Sequence, residues 1–234
     1  MTSINFPNQD SLVMLSGGME SVILMSLLKK HLTSSRLAAL FVNVGQYSAE
    51  RQLAYAKRLC SRFGVHLEYV DIHNFRDLLI AYAEPPYEMI SEGGDDHTVP
   101  RASCEIQVLA GLYAVYHKYD CVYYSGTKSD SNRVPNLPEL IATAEKLIRL
   151  NTEIPISFKA PFLNLLDEDV LKLGIQEGVD IAESWSCNWG KRHHCGLCER
   201  CQKRISVFKM LDISDPTIYE NDINAAVKRT GVKL

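Results

Sequence analysis

No stretch of this chain is apolar and long enough to span a bilayer, which takes roughly 20 consecutive residues, and residues 1–10 carry neither a basic leader nor an apolar run. The expectation is a cytoplasmic protein without a membrane partner. Charge of one sign is scarce as well. With 25 basic and 28 acidic side chains the net charge is −3, which gives no overall field for holding a polyanion by counterion release. Internal repeats and low-complexity tracts are missing, which argues against solenoids and disordered linkers. A disulfide framework is not expected either, because seven cysteines in an unexported chain stay reduced. At 234 residues the chain needs no such staple, since about 70% of its extended surface is buried on folding.

What the chain does have is an alternation of two periodicities. Leu12-Val13-Met14-Leu15 is a short apolar run ended by Ser16-Gly17-Gly18, after which Val22, Ile23, Leu24, Leu27 and Leu28 recur at helical spacing. The same reading gives strands at 37–42, 65–72, 121–124 and 156–162. It gives helices at 48–63, 102–117, 137–150, 168–177 and 201–210. Three prolines, Gly93-Gly94 and several acids make 81–100 a long irregular loop of the kind that forms lids or binding loops. Continuous apolar strands alternating with helices predict a parallel sheet covered on both faces, a Rossmann-like three-layer α/β/α sandwich. Two units are expected, 1–182 for the sandwich and 183–234 for a small appended module.

The segment Leu15-Ser16-Gly17-Gly18-Met19-Glu20-Ser21 falls where a parallel sheet offers its ligand site, between a first strand and a first helix. Two glycines permit a tight turn in which several N–H groups converge on one anion, and the helix dipole adds positive potential. Ser16 and Ser21 add hydroxyl donors. The result is a cradle for pyrophosphate. It lacks the Gly-Lys-Ser/Thr ending of a Walker A loop and the three-glycine spacing of a dinucleotide fold. Ser-Gly-Gly-x-Asp-Ser is the PP-loop signature of enzymes that cleave ATP between the α and β phosphates, and Glu20 stands here at its acidic position. The bland alternative is a plain turn with a serine N-cap.

Cys187-x7-Cys195-x2-Cys198-x2-Cys201 brings four thiolates into fifteen residues, with Gly190 and Gly196 to turn the chain between them. Four sulfurs close the shell of a tetrahedral structural zinc, which then holds the segment in place and performs no chemistry. Lys191, Arg192, Arg200, Lys203 and Arg204 are placed to offset the site's negative charge. An iron–sulfur cluster is the rival, and a redox-active Cys-x-x-Cys pair the second one.

These two motifs, in this order and over this length, resemble the 7-cyano-7-deazaguanine synthase family of PP-loop ATP pyrophosphatases. The most specific part is Ser184-Trp185-Ser186-Cys187 followed by His194-Cys195-Gly196-x-Cys198-x2-Cys201. Further matches are Gly45-Gln46, Val99-Pro100-Arg101, Gly126, Asp130 and Pro161. The resemblance implies an adenine nucleotide alpha hydrolase-like fold, ATP with Mg2+, a structural Zn2+, and a homodimer. It also implies ATP-dependent conversion of a carboxylate on a 7-deazaguanine to an amide, with ammonia as the amine donor, and then to a nitrile. Nucleotide contacts are expected from the 15–21 loop, Val42, Gln46 and Gly126. Catalytic roles fall to Ser16, Ser21 and Arg101, and substrate contacts to Arg101, Lys128, Asp130 and Arg133.

Several positions depart from the family pattern. Asp is usual at Glu20, basic residues follow Gln46 where this chain has Tyr47-Ser48-Ala49, and Gly-Arg-Asn is usual around Arg101. A Tyr-Pro-Asp-Cys-Arg stretch aligns with Val134-Pro135-Asn136-Leu137-Pro138, and a lysine is usual at Asp167. The differences gather in substrate recognition. They suggest a divergent relative whose acyl acceptor is an amine other than ammonia, including one on a protein or nucleic acid. Two further readings are tRNA thiolation, with Cys104 or Cys121 as the thiol, and an inactive ATP-binding module. Both cysteines lie in apolar runs and are expected to be buried.

Overall fold

The computed structural model describes residues 4–75, 103–134 and 136–220, and the expected loop at 81–100 lies outside them. In chain order the elements are β1 (Ser11–Met14), α1 (Met19–His31), β2 (Leu37–Asn43), α2 (Ala49–Phe63) and β3 (His66–Asp71). Then come α3 (Ser103–Tyr116), β4 (Cys121–Tyr123), α4 (Lys128–Arg133), α5 (Leu137–Thr152), β5 (Ser157–Lys159), α6 (Asp167–Gln176) and α7 (Glu199–Met210). The five strands form one sheet in the order β3-β2-β1-β4-β5, with every neighbouring pair parallel. Among the described residues no helix is long and apolar enough to cross a membrane.

Both faces of the sheet are covered, which is why β1 is buried throughout and its Leu12–Met14 is an unbroken apolar run. Successive side chains of a strand point to opposite faces, so Val13 enters one core and Leu12 and Met14 the other. On the Val13 side pack α1, α2, α6 and α7, through residues such as Leu24, Leu59, Leu171 and Phe208. On the other side pack α3 and α5, through Ala110, Ala114 and Ile148. Helix α1 buries eight residues, Met19 to Leu28, and lacks a polar stripe. Its ends suit the helix dipole, with Glu20 in the first turn and Lys29, Lys30 and His31 in the last. Helix α2 is one-sided, burying Ala56, Leu59 and Cys60, and ends at Gly64 in the left-handed region (φ 62°).

The chain runs outward from β1 through β2 to β3, then returns to lay β4 on the other side of β1. The crevice at the carboxyl ends of β1 and β4 is therefore a topological switch point, where open parallel sheets bind their ligands.

The C-terminal segment is fastened to this body by Arg204, only 2% exposed. Its Nε donates to Asp215 at 3.1 Å and its Nη1 to Ser184 Oγ at 2.8 Å, while Tyr219 O–H donates to Asp215 at 2.6 Å. Burial alone pushes the Asp215 carboxyl up, but Arg204 and the hydrogen bonds outweigh it and hold it below the usual range.

Two elements differ from the sequence reading. The fifth strand stops at Lys159 instead of 162, before Pro161, which has no N–H for a ladder. Helix α4 was not expected. It is a single short helix of six residues, and its opening is fixed by the Thr127 N–H donating to Asp130 Oδ2 at 2.9 Å.

Arg204→Met leaves the Asp215 carboxylate buried without its cation and is expected to cost about 3–5 kcal/mol in urea unfolding at pH 7. Because the folded pKa of Asp215 is depressed, its contribution is complete above the unfolded carboxylate value of ~3.9 and is lost as pH falls through the lower folded value. The stability of Asp215→Asn should therefore fall less steeply than wild type below about pH 4.

Candidate active site

The turn between β1 and α1 takes its shape from Gly17. Its φ is +76°, and a Cβ there would lie 2.5 Å from the backbone oxygen of Gln52. Only glycine meets both conditions. On the other side the Gly17 carbonyl accepts the Trp185 N–H at 2.8 Å, so the loop is pinned between α2 and the cysteine-bearing segment. Ser16 Oγ accepts the Gly18 N–H at 3.3 Å and donates to Ser21 Oγ at 3.1 Å, and Ser21 Oγ donates to the Gly18 carbonyl at 2.9 Å. Helix α1 starts at Met19, and the N–H groups of its first turn have no intrahelical acceptor. That combination of donors suits an anion.

The loop opens into a pocket of about 290 Å³ lying over the carboxyl ends of β1, β2 and β4. Leu15, Ser16, Gly18, Met19 and Glu20 line one side, and Met14, Val42, Gln46 and Tyr47 another. Gln46 is fixed by accepting the Val44 N–H at 2.9 Å and donating to Gln52 at 3.2 Å. Tyr124 lies at the floor, its phenol pushed up to about 12 first by burial and then by the nearby Asp130 and Glu20, so it stays a hydrogen-bond donor at neutral pH. The third side comes from the C-terminal segment: Trp185, Ser186, Asn188, and the helical stripe Arg200, Lys203, Arg204 and Val207 of α7. The indole N–H of Trp185 is buried and has no hydrogen-bond partner among the described residues.

Ser21 and Gly17 shape the turn from beneath and are buried; Gly126 is buried beside the Tyr124 ring. Lys128 is exposed at the start of α4, and Asp130 is engaged in capping that helix. Neither is among the residues lining the pocket. Arg101 and the side chain of Arg133 lie outside the described residues. Asn136 holds a left-handed conformation (φ 59°) at the cap of α5 and is exposed, a position that asparagine tolerates better than most residues.

Two expectations need correction. Cys121 is buried, but Cys104, in the first turn of α3, is exposed among the described residues. Its thiol is nevertheless pushed up by partial desolvation and by Glu105, which keeps it protonated. The basic residues near the cysteines are not counter-ions of the sulfurs as a group. Lys191 pairs with Glu220 at 3.7 Å, Arg204 with Asp215, and Lys203 with Asp167 at 2.8 Å. Asp167, where the family pattern has a lysine, is thus not a stray charge. It is buried and also accepts Thr127 Oγ1 at 2.8 Å and Ser129 Oγ at 2.6 Å. Burial raises its pKa, and Lys203 with the two hydroxyls brings it below the ordinary value.

The sulfurs of Cys187, Cys195, Cys198 and Cys201 lie within 4.8 Å of one another, and all four residues are buried. Zn–S bonds of about 2.3 Å in a tetrahedron give sulfur separations near ~3.8 Å. The Cys195–Cys201 and Cys187–Cys198 separations are 3.9 and 4.0 Å. Backbone N–H groups of Trp189 and Cys195 point at Cys187 Sγ, and those of Leu197 and Cys198 at Cys195 Sγ, at 3.2–3.4 Å. Such donors stabilise thiolates. Without a cation the sulfurs compete for protons: their mutual hydrogen bonds raise the Cys187 and Cys201 thiols and lower that of Cys198. The donor set fits one tetrahedral divalent metal.

Comparison with known proteins agrees with this geometry. The family pattern described as "Queuosine biosynthesis protein QueC" matches residues 10–212. A 7-cyano-7-deazaguanine synthase from Caldicellulosiruptor saccharolyticus is 29% identical over 92% of this chain and 97% of its own. 7-Cyano-7-deazaguanine synthase 1 from Sulfurisphaera tokodaii is 30% identical over 90% of this chain and 98% of its own. Among solved structures, the U34-tRNA thiolase NcsA from Methanococcus maripaludis, which carries a [4Fe-4S] cluster, has a TM-score of 0.51 at 16% identity. That match covers 89% of this chain and 66% of the thiolase, and it speaks for the fold alone.

Gly17→Ala is expected to abolish pyrophosphate binding in calorimetry, because the new methyl meets the Gln52 carbonyl and the turn must open. Elemental analysis of the purified chain should find one zinc per chain, and Cys198→Ser should lose it together with cooperative unfolding of the C-terminal segment.

Proposed function

Because the chain belongs to the QueC family of queuosine biosynthesis proteins, we propose that it is an ATP-dependent ligase that activates a carboxylate as its adenylate. The substrate is 7-carboxy-7-deazaguanine or a close analogue. The observation that carries this reading is the Ser16–Ser21 turn, an anion cradle that opens into a pocket at the switch point of the sheet.

A carboxylate oxygen attacks the α-phosphorus of ATP, the bond between the α-phosphorus and the bridging oxygen breaks, and pyrophosphate leaves into the cradle. An amine then attacks the acyl carbon and AMP departs, giving an amide. With ammonia as donor, a second ATP adenylates the amide oxygen, and loss of AMP and a proton gives the nitrile. The chain's part is to orient and to neutralise charge: N–H groups of α1 and the hydroxyl of Ser16 on the phosphates, and Met14, Leu40 and Val42 as the apolar wall for the base. Glu20 is the one carboxylate among the described pocket residues, so Mg2+ would arrive on the phosphates with Glu20 beside it. Zinc would supply only rigidity to the segment bearing Trp185 and α7.

A second reading is transfer of the acyl group to an amine on a protein or nucleic acid. It is favoured by Tyr47, 52% exposed at the pocket edge and stacked on Trp189 with centroids 5.5 Å apart, at a position where the family pattern implied by the resemblance has basic residues.

Incubation with ATP, 7-carboxy-7-deazaguanine and ammonia should release pyrophosphate only when the carboxylate is present. Ser16→Ala should slow that release by at least about tenfold, within the range for loss of one donor to developing charge. Absence of carboxylate-dependent pyrophosphate release, with ATP bound, would reject the adenylation chemistry. Substrate-dependent release without nitrile would favour the second reading.

A further inference from the structure

The sulfur-bearing segment contributes more than a scaffold to the pocket. Lys203 lies on α7, two residues beyond Cys201, on the same helical stripe as Arg200 and Arg204. Its Nζ is 2.8 Å from Asp167 Oδ1 and donates to Ser129 Oγ at 2.9 Å. An ammonium has three donors, and these two partners use two of them. In the direction of the pocket the nearest described carboxylate is Glu20 Oε1, at 3.8 Å, beyond hydrogen-bond length. Asp167 and Ser129 are themselves held, by Thr127 and by each other, so the ammonium has a fixed mount and is not a solvated side chain.

The cradle has an electrostatic difficulty that this arrangement answers. Glu20 places a carboxylate in the first turn of α1, beside the turn that is to receive a highly charged anion. Like charges at that distance repel strongly in a partly buried site. A cation beside Glu20, facing the same pocket, offsets the repulsion and leaves one donor for a phosphate oxygen.

On the functional reading above, we propose that Lys203 supplies a protein cation to the phosphate site, mounted by Asp167 and Ser129, with its third N–H directed to the diphosphate of ATP. The C-terminal module thereby supplies an active-site charge, and Asp167 is a positioning residue that acts through Lys203.

The test uses the full-length, zinc-loaded chain, titrated calorimetrically with ATP and with inorganic pyrophosphate, alongside thermal unfolding. Lys203→Met should weaken both ligands by at least about tenfold, as expected for one charge-assisted hydrogen bond, and should lower the melting temperature because Asp167 loses its partner. The double variant Asp167→Asn/Lys203→Met removes that stranded carboxylate; it should regain stability without regaining affinity. Lys203→Arg should bind within severalfold of wild type. Wild-type affinity in the double variant would overturn the proposal while leaving the adenylation reading intact. A wild-type chain that binds neither ATP nor pyrophosphate would overturn both.

Discussion

A backbone hydrogen bond, from the Trp185 N–H to the Gly17 carbonyl at 2.8 Å, ties the cysteine-bearing segment to the turn after β1. Gly17 belongs to the glycine turn after β1, and Trp185 to the segment that leads into the cysteines. The bond forms only because Gly17 adopts a positive φ and has no side chain to strike the Gln52 carbonyl on its other flank. The C-terminal wall of the pocket lies beside that junction. Trp185, Ser186 and Asn188 lie on the pocket wall, and the Arg200–Lys203–Arg204 stripe of α7 lines the same pocket as Ser16 and Gly18.

The cysteines serve the same junction. With Cys198 as the N-cap of α7 and Cys201 in its first turn, the metal site and the helix that carries Lys203 share residues. A metal bound by four thiolates would fix where that helix begins, and Arg204 fixes where it lies by bonding Ser184 and Asp215. Val207 and Phe208 then enter the main core below the sheet, so the segment is packed on the body of the protein.

Much of this was legible in the sequence. The unbroken apolar run at 12–15, the glycines that end it and the helical spacing after it specify a buried parallel strand, a turn and a helix without tertiary information. The four cysteine spacings likewise point to a metal site, which the sulfurs' convergence within 4.8 Å is consistent with. What was less legible depended on contacts between distant residues. Asp167 reads as a lost lysine until Lys203, 36 positions later, is seen beside it. Arg200, Lys203 and Arg204 read as counter-ions of the sulfurs because they are adjacent in sequence, whereas side chains at i, i+3 and i+4 share one helix face and reach the pocket together. That spacing was available as a signal. Cys104 shows the opposite error: an apolar run gives the period of a helix, but not which of its turns the core covers.

The central claim is that the Ser16–Ser21 turn and the cysteine-bearing segment together enclose the phosphates of ATP. A crystal structure with a non-hydrolysable ATP analogue tests it most directly. The account predicts the β and γ phosphates at the N-terminus of α1, within hydrogen-bond distance of Ser16, and the base against Met14 and Val42. Nucleotide bound elsewhere on the protein, or a turn filled by its own side chains so that no anion enters, would contradict it.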